Sequence, residues 1–417
     1  MTDPRPADLS DMDAKHASLH WLIAAVFLQM LPATLLAPAI RPLFAQVHAG
    51  SEGSMHAFMS LNMLGGILIT PLIARLASTG SAASLGRWLM FLAGLDAILL
   101  LVVSMPLATP LVLFLRTIEG AAHLGAASLL LARAAAYKPL VGAGRAMGMA
   151  GGAVMLAIAF GSGLGGLLVA ESPRLPFIVG GGLAGLVAFA GPFLYRSTLP
   201  VERSEASSVR LSWRDPNVMG PLSAAFVERF TVGLIIVTFA LFATKTHGLS
   251  DRSIGLLYSM LMLPFALLMY PASRLGDRVP RAALLAFGTL LYGAAITSLA
   301  LVPKAFLPVS MIAAGVASSF MYGTVLCYCA TLVPSDSRSR MMALVNTSGA
   351  LGMLLGPMVG GVLVAIGRTQ VDPLAAYRNV FYLAGVVCAL WVVVQARWLT
   401  GRLQTERGEH ALATQAT

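Results

Sequence analysis

The chain has 417 residues, 57% of them hydrophobic and only 11% charged, with a mean hydropathy of +0.80. Soluble domains carry roughly 25% charged residues, so a water-soluble catalytic or nucleic-acid-binding domain is excluded as the body of the chain. The net charge of +10 sits in short gaps between apolar runs, which reads as membrane topology and not as a nucleic-acid face.

Residues 1–20 hold Asp3, Asp8, Asp11 and Asp13 against Arg5 and Lys15. That is the wrong charge for the leading region of a secretory signal, so an N-terminal tail is expected, with the first apolar run kept as span 1. Apolar runs of spanning length follow at 21–43, 55–77, 88–105, 108–134, 146–170 and 175–195, numbered spans 1 to 6. The longest polar gap begins at Arg196 and gives a linker at 196–217. Spans 7 to 12 lie at 218–243, 254–273, 282–302, 306–333, 341–367 and 379–397, ahead of a tail at 399–417. The expected domains are thus an N-terminal half, 21–195, and a C-terminal half, 218–398. Runs this long must satisfy their own backbone groups in hydrocarbon, so the expected fold class is an all-α membrane protein with twelve transmembrane helices.

With both tails and the linker cytoplasmic, nineteen of the 28 Lys and Arg fall in cytoplasmic gaps and seven in external ones, while Arg116 and Arg229 lie within spans. This asymmetry orients a multi-pass protein in a cell (inner) membrane. A shift of 195 residues lays spans 4 and 5 on spans 10 and 11: Gly120 meets Gly315, Pro139 meets Pro334, Arg145 meets Arg340, Gly161 meets Gly356, and Gly165 and Gly166 meet Gly360 and Gly361. Spans 4 and 10 start on the same side, so the six-helix halves are parallel repeats about an axis along the membrane normal. Such halves enclose a central cleft, the architecture of a transporter with alternating access.

These residues resemble the major facilitator superfamily over the whole chain apart from the tails. Ser273 to Arg281 reads SRLGDRVPR, similar to the family's loop motif at Asp277, Arg278 and Arg281. Arg116 to Gly120 reads RTIEG, similar to Arg-x-x-Gln-Gly with Glu119 in place of Gln. Gly161 to Gly166 (GSGLGG) and Gly356 to Gly361 (GPMVGG, with Pro357) resemble the Gly-Pro-x-x-Gly-Gly of its antiporters, with Ser162 replacing Pro in span 5. The resemblance implies gating at Asp277, Arg278 and Arg281 and at Gly161, Gly165, Gly166, Gly356, Pro357, Gly360 and Gly361. Orientation of the chain by the arginines, and plain close packing by the glycines, are the alternatives.

Ionisable groups inside a span are costly and point to function. Arg116, Glu119 and His123 are spaced i, i+3, i+7 on one face of span 4, with Glu119 near mid-membrane. Glu119 is expected to couple protons, with Arg116 as counter-charge or anchor of an anionic substrate and His123 tuning; a permanent Arg116–Glu119 ion pair is the alternative. Glu228 and Arg229, about 100° apart on span 7, do not share one helix face, and one is expected to face the cleft and the other a neighbouring helix. The resemblance implies that spans 1, 4, 7 and 10 line the cavity, which makes these two the second site. Asp96, on span 3, is then expected to be a packing acid on an outer helix. Gln29, Thr34, Asn62, Tyr258, Met262, Tyr322 and Asn346 are further polar or adaptable candidates for the cleft.

Cys327, Cys329 and Cys388 lie in apolar runs without neighbouring ligands, so no metal is expected. Neither Gly-x-x-x-x-Gly-Lys-Ser/Thr, His-Glu-x-x-His nor Gly-x-Ser-Gly occurs, which disfavours a nucleotide-driven pump and a membrane-embedded enzyme and implies no cofactor. The expected activity is secondary transport of a small organic solute, by proton-coupled efflux (antiport); uptake or facilitated passage of a small organic anion is the alternative. Expected partners are the substrate, a proton or other coupling ion and the lipid bilayer, with the chain a monomer.

Overall fold

The computed structural model describes residues 6–137, 143–195, 211–212, 214–276, 278–333, 337–367 and 373–415, and these are helical without strands. Helix α1 runs over Pro6–Met30 and continues through short turns at Pro32–Leu35, Ala37–Ala39, Ile40–Leu43 and Phe44–His48, where three prolines interrupt the backbone ladder. There follow α2 Glu52–Thr79, α3 Ala82–Val103, α4 Thr109–Ala135, α5 Ala143–Glu171 and α6 Leu175–Leu194. The second half holds α7 Pro216–His247, α8 Asp251–Leu275, α9 Arg281–Ser298, α10 Leu307–Thr331, α11 Arg338–Gly367 and α12 Pro373–Val394, and α13 is Ala396–Gln415. Eleven of the described helices are long and apolar enough to cross a membrane. The twelfth, α4, has the length but carries Arg116, Glu119 and His123.

The repeat is visible in the packing. A Cβ at Gly120 of α4 would collide with the Asn62 carbonyl of α2, and one at Gly315 of α10 with the Leu261 carbonyl of α8. Gly161 and Gly165 of α5 seat against Leu31 and Leu35 of α1 as Gly356 and Gly360 of α11 seat against Phe230 and Leu234 of α7. Small residues let the backbones approach where hydrocarbon supplies no hydrophobic drive. The α1–α2 pair therefore maps on α7–α8 at an offset of 199, four more than the offset between α4–α5 and α10–α11. Even the turns repeat. Ala49 (φ 49) and Gly248 (φ 61) end α1 and α7 in the left-handed region, and the Ser51 and Ser250 hydroxyls cap α2 and α8.

The halves meet at the end of the bundle where α1 turns into α2 and α7 into α8. There Gly166 of α5 lies against Gly255 of α8, and its counterpart Gly361 of α11 against His56 of α2. His56 Nε2 is 3.1 Å from the Thr238 hydroxyl, and Ser162 and Ser259 hydroxyls are 3.2 Å apart. Two crossed ion pairs close this end: Arg41 donates two hydrogen bonds to Asp251 at 2.7 Å, and Lys245 donates to Glu52 at 2.6 Å. Tyr377 joins the second pair by donating to Glu52 at 2.6 Å. Glu52 and Asp251 occupy equivalent first-turn positions of α2 and α8, where the helix dipole favours a carboxylate. At the opposite end, among the described residues, the halves pack separately. A buried core around Leu89, Leu129 and Tyr137 belongs to the N-terminal half alone, and Gly148, Gly151 and Gly152 of α5 face open space.

Residues 399–415, expected as a tail, are helical and folded back. Trp398 covers Gly220 of α7. The buried Glu406 carboxylate accepts from the Ala282 N–H at the start of α9 (3.0 Å) and from the Tyr328 hydroxyl of α10 (2.9 Å). Asp277 lies outside the described residues; Arg278 is exposed in the α8–α9 turn and Arg281 opens α9.

Each crossed ion pair is partly exposed and is worth about 1 kcal/mol. The double variant Glu52→Gln/Asp251→Asn should raise amide hydrogen exchange several-fold over residues 41–56 and 245–256 and leave α3 and α9 unchanged; equal exchange in both proteins would show that packing alone holds this end.

Candidate functional site

Arg116, Glu119 and His123 of α4 meet partners from α1, α2 and α3. Arg116 donates to the Glu119 carboxylate through Nη1, and its guanidinium stacks 4.5 Å from the centre of the Phe58 ring. Because Gly120 brings α2 into backbone contact, Asn62 Nδ2 also donates to Glu119, at 2.9 Å. One turn on, His123 Nδ1 lies 2.9 Å from Asp96 Oδ2, which accepts from Gln29 Nε2 at 2.8 Å. All six polar residues are buried.

Asp96 is thus a full member of the cluster. Helix-face spacing covers one helix only, so it could not reveal a partner on α3. One donor atom each from Asp96, Glu119 and His123 lies within 4.8 Å of the others. Two carboxylates facing one guanidinium leave one negative charge to offset, by an imidazolium at His123 or a proton on one of the acids. The bonds from Arg116 and Asn62 both fall on Glu119 Oε2. Among the described residues, Asp96 Oδ1, His123 Nε2 and Gln29 Oε1 have no hydrogen-bond partner, the acceptor and donor sites a proton carrier needs.

The second constellation lies in the C-terminal half. Glu228 and Arg229 are paired: Arg229 Nε lies 3.1 Å from Glu228 Oε2. Ser318 of α10 donates to the other Glu228 oxygen at 2.9 Å, and the guanidinium stacks on Tyr322, 5.1 Å from the ring centre. Glu228 is buried, whereas the Arg229 side chain is 25% exposed.

The remaining candidates separate from these clusters. The Tyr258 hydroxyl donates to the Ile236 carbonyl, and Thr34 donates to Ile158 O at 2.8 Å; both residues, with Met262, line a small apolar cavity between the halves. Asn346 is exposed on α11, and Cys329 and Cys388 are buried packing residues. The glycines assigned to gating pack α5 on α1 and α11 on α7, and of these Gly166, Gly360 and Gly361 also lie against the other half. Sequence reasoning missed Arg41, Glu52, Lys245 and Asp251; their signal was the repeat of SEGS at 51–54 as SDRS at 250–253.

The sequence pattern of the Major Facilitator Superfamily matches residues 22–223 and 221–415. The chain belongs to this family. It is similar to an uncharacterised MFS-type transporter of Methanocaldococcus jannaschii, 27% identical over 151 residues, which is 36% of this chain and 39% of that protein. Its fold is that of a bacterial homologue of the human lysosomal transporter Spinster, solved inward-facing and unoccupied (TM-score 0.75, 16% identity, 94% of this chain and 98% of that one). The nucleoside transporter NupG (0.69, 13%, 92% and 98%) and a D-xylose–proton symporter (0.69, 14%, 89% and 96%) share it. Membership identifies a multi-pass membrane protein of a transporter family and not an enzyme family.

Removing Arg116 alone strands the Glu119 carboxylate. Arg116→Met should cost about 3–5 kcal/mol in unfolding, and Arg116→Met/Glu119→Leu should recover most of it, as read from denaturant unfolding in detergent.

Proposed function

We propose that the chain is a secondary transporter that exports a small organic solute in exchange for protons by alternating access. The observation that carries this reading is the buried Arg116–Glu119 and Asp96–His123 cluster, in which two acids share one permanent cation. One proton more or less decides its charge balance, so protonation and helix packing in the N-terminal half are linked. Glu119 and Asp96 take the proton, Arg116 is the counter-charge, and His123 relays through its second ring nitrogen. Closure at the crossed ion pairs and separation at the arginine-rich end support an inward-open state, the conformation named for the Spinster homologue, with the α1–α2 turn external and both termini cytoplasmic.

The partly exposed side chain of Arg229 favours a second reading, uptake of a small organic anion. An untargeted comparison of cells and medium separates the two, using cells that express the wild type, Glu119→Gln or neither. Export predicts a compound depleted inside and enriched outside with the wild type alone, and an at least about tenfold loss in Glu119→Gln. A compound enriched inside with both forms would establish uptake and reduce Glu119 to a structural ion pair.

A further inference from the structure

We propose that the solute is a small amphipathic carboxylate, bound through Arg229 with its apolar body in the cavity between the halves. The inference rests on the transport reading above and names the substrate class.

The two arginines inside the membrane are not equivalent. Arg116 is nearly enclosed, 4% exposed, beneath Phe58, whereas the Arg229 side chain is 25% exposed and its Glu228 partner 3%. The positive end of the second pair is therefore the more accessible of the two cations. Glu228 engages Nε and the Tyr322 hydroxyl also bonds the guanidinium, so the remaining N–H groups are the ones a carboxylate would meet. Tyr322 stacks on the guanidinium plane. Beneath the Arg stem, a Cβ at Gly349 would stand 3.1 Å from Arg229 Cγ and one at Gly352 3.3 Å from its Cβ. These glycines of α11 leave the room in which the side chain lies.

The apolar cavity begins one turn further along the same face of α7. Val232 and Ile236, at i+3 and i+7 from Arg229, line it with Thr34, Ser162, Tyr258 and Met262. At ~1.5 Å per residue, these positions lie ~5 and ~10 Å along the axis from Arg229. A carboxylate on the guanidinium aims an apolar body of that length at this cavity, whose free volume is only about 20 Å³, so α1, α5, α7 and α8 must part to admit it between the halves. Such a ligand would bias their relative position.

The test uses the purified full chain and three probes of one shape: 2-naphthoate, neutral 2-naphthalenemethanol and cationic 2-naphthylmethylamine. Binding is read by ligand fluorescence and by the shift in thermal unfolding. The proposal expects naphthoate to bind and stabilise, with the alcohol and amine at least about tenfold weaker. Arg229→Gln should abolish the preference for the acid, Arg229→Lys should retain part of it, and Gly349→Ala, which leaves the charge intact but displaces the side chain, should weaken naphthoate several-fold. Unliganded unfolding temperatures check that each variant is folded. Equal binding of the three probes, or unchanged naphthoate binding by folded Arg229→Gln, would overturn the proposal. Glu119→Gln should still bind naphthoate, so loss of coupling without loss of binding separates failure of the transport reading from failure of this one.

Discussion

A carboxylate placed in hydrocarbon must be paired, hydrogen-bonded or protonated, because its desolvation costs several kcal/mol. The N-terminal half is arranged around this constraint. Glu119 is met by Arg116 from its own helix and Asn62 from α2, and Asp96 by His123 and Gln29. Four helices thereby depend on one buried charge balance. Gly120, which draws α2 onto α4, belongs to the same device, since without it Asn62 would not reach the carboxylate. The C-terminal half uses the equivalent Gly315 for the same helix contact but carries its charges elsewhere, at Glu228 and Arg229.

The duplication explains how one bundle closes at one end. Symmetry places Glu52 and Asp251 at matching helix starts and Gly166 and Gly361 at matching crossings. Each half thus contributes an acid and a close crossing to a shared interface. The apolar cavity lies directly beneath these contacts, and the separated arginine-rich ends lie beyond it. The interface is held by two partly exposed ion pairs and backbone-level packing, contacts individually weak enough to be exchanged for others.

Much of this was legible in the chain. Apolar length gave the helices, and the spacing of Arg116, Glu119 and His123 gave one face of the charge cluster. What escaped depends on neighbours that spacing within one helix does not encode. Asp96 read as an outer packing acid because its partners are on α1 and α4. The Glu228–Arg229 ion pair is hidden from spacing because helix angle describes where Cβ points, not how far an Arg side chain reaches. The polar composition of residues 399–415 hid a helix, since only the tertiary partners Ala282 and Tyr328 reveal why Glu406 is buried. The repeat is legible at 195 residues, yet the two acids of the crossed ion pairs, Glu52 and Asp251, follow the offset of 199, which the longer first half of the repeat conceals.

The central claim is that the Asp96–Glu119–His123 cluster exchanges a proton within the working range of the protein. Infrared difference spectroscopy of the protonated-carboxyl stretch, recorded as pH is stepped between about 5 and 8, addresses it directly. The account expects a carboxyl band that titrates in the wild type and is lost or displaced in both Glu119→Gln and Asp96→Asn. A spectrum without such a band, or one unchanged in both variants, would contradict it and leave the cluster a permanent structural network.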